Sequence, residues 1–172
     1  MKTLILLTPS SQKWVKCVLS NFDEFLKDHA ANEKKASSMA MSLVAHYPDK
    51  TELVEKMISL AIEELNHFKQ VVRLMRDRSL MMTPDQKDPY VNQMRDEVRD
   101  DTENYFLDRL LSAAVIEARG EERFRLLARN LKDKKLKIFY QALANSEHGH
   151  HQLFRDLALQ YFNAQIVDRR LA

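Results

Sequence analysis

Glu64 and His67 form one Glu-x-x-His, and Glu147 and His150 form a second. In a helix, a spacing of three puts both side chains on one face, a turn apart. Each pair offers a carboxylate and an imidazole to the same point, so two such faces can enclose a pair of metal ions. Carboxylates would neutralise and bridge two divalent ions, and each imidazole would bind one ion terminally. Oxygen-rich ligation with few nitrogens suits iron or manganese better than thiol-loving zinc. Coordination positions left open could bind dioxygen.

The two pairs stand in register. Glu64 to Glu147 and His67 to His150 are both separations of 83 residues. If the chain holds two similar helix pairs, each Glu-x-x-His should follow a helix carrying a lone acid. Glu33 lies 31 residues before Glu64, and Glu117 lies 30 before Glu147. The expected metal ligands are therefore Glu33, Glu64, His67, Glu117, Glu147 and His150. No catalytic group beyond them is expected.

Such ligands need long, rigid elements, and the composition provides for them. The 172 residues are 45% hydrophobic and 30% charged, enough for one folded domain spanning 1–172. Two glycines and four prolines argue for uninterrupted helices, because sheets and tight turns consume both residues. Apolar residues recur at three and four without two-residue alternation. Four long helices are expected, at roughly 11–46, 50–80, 102–130 and 134–162, in an all-α four-helix bundle. Ser10 or Ser11 can cap the first, Asp49 the second, Asp101 or Thr102 the third and Asp133 the fourth. Asp88-Pro89 marks a possible short helix in the longer connection between helices two and three. Trp14, Val18, Phe22, Phe25, Leu26, Met39 and Leu43 line the first helix, and Leu53, Met57, Leu60, Ala61, Leu65, Phe68, Val71 and Val72 the second.

Residues around the ligands carry expectations of their own. Ala36 and Ala40 flank Glu33, while Ala113, Ala114 and Gly120 flank Glu117, leaving room for metal, oxygen or substrate. Gly120 and Gly149 both lie within three residues of a ligand. An interior helical glycine costs about 1 kcal/mol against alanine, so both suggest close approach or tight helix packing. Phe68, Phe124 and Phe154 read as core that keeps water from the metals. His29 and Asp28, near Glu33, could orient it. Glu121 shares the Glu117 stripe and is a fallback ligand; Glu63 and Glu122 read as solvated. His148 and His151 compete with His150, which is preferred because it pairs with Glu147.

One cysteine excludes an internal disulfide and fits a reducing cytoplasm. The apolar run Met1 to Leu7 is too short for a signal peptide, and no stretch reaches membrane-spanning length. With two glycines a Gly-x-Gly-x-x-Gly loop cannot exist, so neither a bound flavin nor a dinucleotide is expected.

Several segments together resemble the MiaE tRNA hydroxylases. They are Asp28-His29-Ala30-Ala31-Asn32-Glu33-Lys34-Lys35-Ala36, Glu63-Glu64-Leu65-Asn66-His67-Phe68, Ile116-Glu117-Ala118-Arg119 with Glu122-Arg123-Phe124, and Ser146-Glu147 with His150. The resemblance runs from about Thr8 to Phe162. It implies a ferritin-like fold, two iron ions held by the same six residues, and O2 as co-substrate. It also implies hydroxylation of the isopentenyl group of 2-methylthio-N6-isopentenyladenosine beside the tRNA anticodon. Gly120-Glu121 and the extra histidines between Ser146 and His151 depart from the family pattern.

That reaction calls for an external electron donor of reductase or ferredoxin type, and for a tRNA-binding face. The net charge is only +2, so a basic face must come from clustering. Candidates are Arg73, Arg76 and Arg78, then Arg95 and Arg99, then Lys132, Lys134, Lys135 and Lys137, with Asp77, Asp100 and Asp133 interspersed. Two alternatives stand beside the hydroxylase: another di-iron oxidase or peroxidase with a small substrate, and an iron-storage bundle without oxygenase activity.

Overall fold

Seven helices and no strands occur among the described residues, 6–86 and 88–172, of the computed structural model. Most of the Met1–Leu7 run considered above therefore lies outside them. The chain divides into two compact units. Lys16–Gln86 forms one, and the chain before Lys16 together with the chain after Gln86 forms the other.

The first helix is interrupted. Its apolar period continues through Leu26, but α1 (Gln12–Ser20) stops one residue before α2 (Phe22–His46). Asn21 is the cause: its amide side chain donates to the Cys17 carbonyl (2.9 Å), and its backbone N–H turns to the Val18 carbonyl (3.1 Å). An asparagine that bonds nearby backbone competes with the helical ladder. Upstream, Ser11 is the cap; its hydroxyl accepts from the Trp14 N–H.

In the Lys16–Gln86 unit, α2 pairs with α3 (Thr51–Asp77) as an antiparallel hairpin. Asp49 does not cap α3. The Lys50 N–H bonds the Tyr47 carbonyl (3.1 Å), so Asp49 sits inside the reversing turn and Lys50 occupies the cap position. The seam between the helices contains Leu26, Ala30, Ala40 and Leu43 from α2, and Leu53, Met57, Leu60, Val71 and Met75 from α3. Ser37 donates to the Ala61 carbonyl across it (3.0 Å). Leu65 is not on this seam. It is 49% exposed, on a separate stripe with Ile58 and Ile62, because it falls about 100° around the helix from Glu64. Arg78 donates to Asp23 at the open end of the hairpin (2.6 Å).

In the other unit, α5 (Thr102–Asn130) pairs with α6 (Lys134–Tyr161). Both begin at aspartates legible in the sequence. Asp101 accepts from the Asn104 N–H, and Asp133 from those of Lys135 and Leu136. Each such cap contributes about 1 kcal/mol. The short helix expected after Asp88 is α4 (Pro89–Asp96), capped by Asp88 and packed on α5. A last helix, α7 (Ala164–Leu171), was not expected from the sequence. Asn163 caps it, and Val167 anchors it on α6.

Candidate metal centre

Each hairpin positions half of the expected ligand set by giving it core positions. Glu33 falls seven residues after Leu26 on α2, and Glu64 four after Leu60 on α3. Both acids thus take apolar seam positions and are 4% and 1% exposed. His67 completes the group; ligand atoms of Glu33, Glu64 and His67 lie within 4.8 Å of one another. His67 Nδ1 is 3.6 Å from Glu33 Oε2 and 3.5 Å from Glu64 Oε2. His29, also buried, donates from Nε2 to Glu33 Oε1 at 2.6 Å and fixes that carboxylate. Asp28, the other residue expected to orient Glu33, is exposed and lies 3.2 Å from the amide of Asn32.

The second hairpin repeats the geometry. Glu117, Glu147 and His150 are buried, with ligand atoms within 4.8 Å. His150 Nδ1 faces Glu117 Oε2 at 3.8 Å, as His67 Nδ1 faces Glu33 Oε2. In both halves Nδ1 is turned inward. The outer Nε2 has a polar neighbour each time, Glu63 at 3.9 Å and Ser146 at 3.4 Å. The inward separations exceed hydrogen-bond length and suit donors that share a cation.

The donor set passes a chemical test for metal. Buried carboxylates are costly unless opposed by positive charge, and besides the Glu64 carboxylate the groups close to Glu33 are the imidazoles of His29 and His67. Burial pushes Glu33 up, but the hydrogen bond from His29 and the nearby His67 imidazole outweigh it and hold Glu33 well below the usual carboxylate range. Burial pushes His67 down, but Glu33 and Glu64 outweigh it and raise the imidazole to about 9. The metal-free half-site thus recruits protons to balance its acids. Divalent ions would displace them, so loading would release protons.

Gly120 has the close approach expected of it: a Cβ there would come within 3.1 Å of Glu147 Oε2. Gly149 does not, because it is exposed and a Cβ there would meet nothing within 4 Å. We expect Gly120→Ala to keep or slightly raise the thermal stability of metal-free protein. Iron affinity should fall by about tenfold as the carboxylate is displaced; unchanged affinity in a metal titration would reject the close-approach reading.

Other expectations fare unevenly. Phe124 and Phe154 are buried core, whereas Phe68 is half-buried. Glu122 is not solvated. It accepts from the Ser10 N–H (2.7 Å) and hydroxyl (2.8 Å) and from Arg119 (2.6 Å), while Arg119 also reaches the Thr8 carbonyl. Arg119 and Glu122 therefore fasten the segment before α1 to α5, and their spacing of three was the available signal. Glu121 turns to His148, His151 and Arg125. Among the basic candidates, Arg78 is engaged by Asp23, Arg99 by Asp108 and Arg76 by Asp77, while Arg73, Arg95 and the Lys132–Lys137 group are exposed.

Comparison with known proteins agrees with this architecture. A solved structure described as "Protein 43 with aldehyde deformylating oxygenase activity from Synechococcus" matches with a TM-score of 0.94 and 33% identity. The match covers 99% of this chain and 84% of that one, and the shared fold is ferritin-like and all-α. Two curated relatives carry the name tRNA 2-(methylsulfanyl)-N(6)-isopentenyladenosine(37) hydroxylase. The Pseudomonas putida protein is 38% identical over 153 residues, covering 89% of this chain and 74% of that one. The Salmonella typhimurium protein is 35% identical over 144 residues, covering 84% of this chain; the chain spans about half of that relative, 52% of its length. The family model described as tRNA-(MS[2]IO[6]A)-hydroxylase (MiaE) matches residues 1–172, and the chain belongs to that family.

Proposed function

We propose that this protein is a tRNA-modifying, non-haem di-iron monooxygenase that hydroxylates the isopentenyl group of 2-methylthio-N6-isopentenyladenosine next to the anticodon. The observation that carries the reading is the duplicated half-site. Two hairpins in a chain of this family each bury a lone glutamate and a Glu-x-x-His with the same inward Nδ1 geometry. Glu33, Glu64, His67, Glu117, Glu147 and His150 would hold two iron ions. When bound, the irons would supply O2-dependent insertion of one oxygen atom into a C–H bond, the other oxygen leaving as water, with two electrons from an external reductase or ferredoxin.

The protein's own part is to hold and orient. His29 locks one oxygen of Glu33 and leaves Oε2 facing His67. Gly120 leaves space for the Glu147 carboxylate. Phe124 and Phe154 help keep bulk water from the buried acids.

A tRNA-binding face has a candidate at the start of α6. Lys132, Lys134, Lys135 and Lys137 are exposed there, and the Asp133 cap is the one acid among them, with none in the first turn that follows. Cations at a helix N-terminus oppose the macrodipole and cost a few tenths of a kcal/mol each. Phosphates docked at that end would offset the cost, and binding would weaken steeply with salt. No described helix is long and apolar enough to cross a membrane, and a tRNA substrate implies action in the cytoplasm.

Nucleoside analysis of tRNA from a deletion strain tests the reading. The hydroxylated nucleoside should disappear and its unhydroxylated precursor accumulate, with re-expression reversing both; persistence of the hydroxylated form would reject it. The Synechococcus structure favours a second reading, an oxygenase acting on a small substrate such as an aldehyde. It predicts turnover of free aldehyde by the iron-loaded protein and no change in tRNA nucleosides.

A further inference from the structure

The extra histidines of α6 converge with Glu121 of α5. His148 Nδ1 lies 3.0 Å from Glu121 Oε2, His151 Nε2 lies 3.1 Å from the same oxygen, and the two ring nitrogens are 3.2 Å apart. We propose that Glu121, His148 and His151 form a further metal site, additional to the six buried ligands, which takes one divalent first-row transition ion.

Three observations support it. Donors bound to one ion at about 2.0–2.2 Å stand about 2.8–3.6 Å apart across octahedral and tetrahedral arrangements, and all three separations fall in that span. Next, partners outside the triangle hold two of the ligands. Arg125 Nε donates to Glu121 Oε1 at 2.8 Å, which leaves Oε2 as the free donor atom. The Gln152 amide nitrogen Nε2 lies 3.0 Å from His148 Nε2, and the amide's O and N can be exchanged by a half-turn about its terminal bond. With that amide turned so that its oxygen accepts from Nε2–H, the Nδ1 lone pair faces the triangle. Such outer partners orient metal-bound imidazole and carboxylate. Third, access is graded: His151 is 2% exposed, Glu121 18% and His148 39% by side chain. One side therefore opens to solvent for ion exchange and for a bound water.

Two imidazoles and one carboxylate favour borderline ions such as Zn2+ or Co2+ over Mg2+ or Ca2+, which prefer all-oxygen shells. The triad also differs in kind from the buried half-sites, which are richer in carboxylate. It belongs to one hairpin, α5 and α6, and does not depend on the iron reading.

Equilibrium dialysis of the full chain against Zn2+, with Co2+ absorption as a second probe, tests the proposal. His148→Ala and Glu121→Gln should each bind one equivalent fewer than the parent, with unchanged far-ultraviolet dichroism. His148 is the more exposed histidine, so its removal leaves the core intact. Glu147→Ala should lose ions from the buried set but keep the equivalent that His148→Ala removes. Parent stoichiometry in folded His148→Ala and folded Glu121→Gln would overturn the site. The subtraction reads the same whether the buried set binds two ions or none, so failure here and failure of the iron centre are distinguishable.

Discussion

Glu147→Ala should strip iron from the protein and reduce hydroxylation by more than about 10²-fold, the upper range for losing an outer partner of a ligand, without unfolding a helix. Glu64→Ala should do the same from the other hairpin. The expectation follows from burial. Glu147 is 5% exposed and Glu64 1%, so water is poorly placed to replace the lost oxygen. Stability should respond in a way an ordinary core residue would not. Without metal, Glu147 sits with Glu117 in a buried cluster, and two such acids repel. Removing one relieves that repulsion and offsets part of the cavity left behind. Metal-free Glu147→Ala should therefore melt close to metal-free parent. Loaded parent should melt higher, since ligand at 100 times Kd stabilises by about 2.7 kcal/mol. The gap between loaded and metal-free melting should collapse in the variant. Retention of full iron by both variants, measured by elemental analysis, would reject the ligand assignment.

The sequence exposed features that act over short distances and concealed those settled by one local competition or by distant partners. Asp88, Asp101 and Asp133 each precede a helical run, and each is a cap. The register of the four buried glutamates was equally legible, because Glu33, Glu64, Glu117 and Glu147 occupy apolar positions of their periods and burial follows from the period. The break at Asn21 was hidden because Val15, Val18, Phe22 and Leu26 keep a helical rhythm across it while the competing side-chain bond to Cys17 leaves no periodic trace. Leu65 was misread because its apolarity fits a helix while its angle takes it off the seam. α7 was missed because eight residues with a single buried anchor, Val167, give no pattern to count. The partners of Glu121 and Glu122 depended on which residues face α5 from the chain before α1 and from α6. The histidines of α6 were visible as departures from the family, but their convergence on one oxygen needed coordinates.

Asp108→Asn should lower stability by about 2–3 kcal/mol, at or just below the lower end for breaking a buried ion pair, while leaving iron content unchanged. Asp108 is 2% exposed in the middle of the α4–α5–α7 corner. Arg99 donates to it from its backbone N–H (3.0 Å), Nε (2.9 Å) and Nη2 (2.7 Å). Arg170 of α7 adds Nε (2.9 Å) and Nη2 (3.2 Å), and also reaches the Glu97 carbonyl. Asparagine keeps the volume but removes the charge and presents an N–H where an acceptor is needed. Both arginines are more than a third exposed by side chain and can recover water, which limits the loss. For a chain of this length the melting temperature should drop by about 5–10 °C. Its pH dependence separates charge from shape. Burial pushes the Asp108 carboxyl up, but hydrogen bonds from Arg99 and Arg170 outweigh it and hold the group well below the usual range. A depressed carboxylate contributes stability that is fully present above its unfolded value, about 3.9. That contribution is lost as pH falls toward the folded value. The parent's advantage over Asp108→Asn should therefore be level between pH 5 and 8, as an expectation from that linkage, and should shrink in acid. An advantage that persisted undiminished under acid conditions would mean that packing, not the two arginines, is what Asp108 supplies. Because α7 depends on Arg170 and Val167 for its attachment, the variant should also be cut first near its C-terminus by protease, before the hairpin that carries Glu117 and Glu147 is touched.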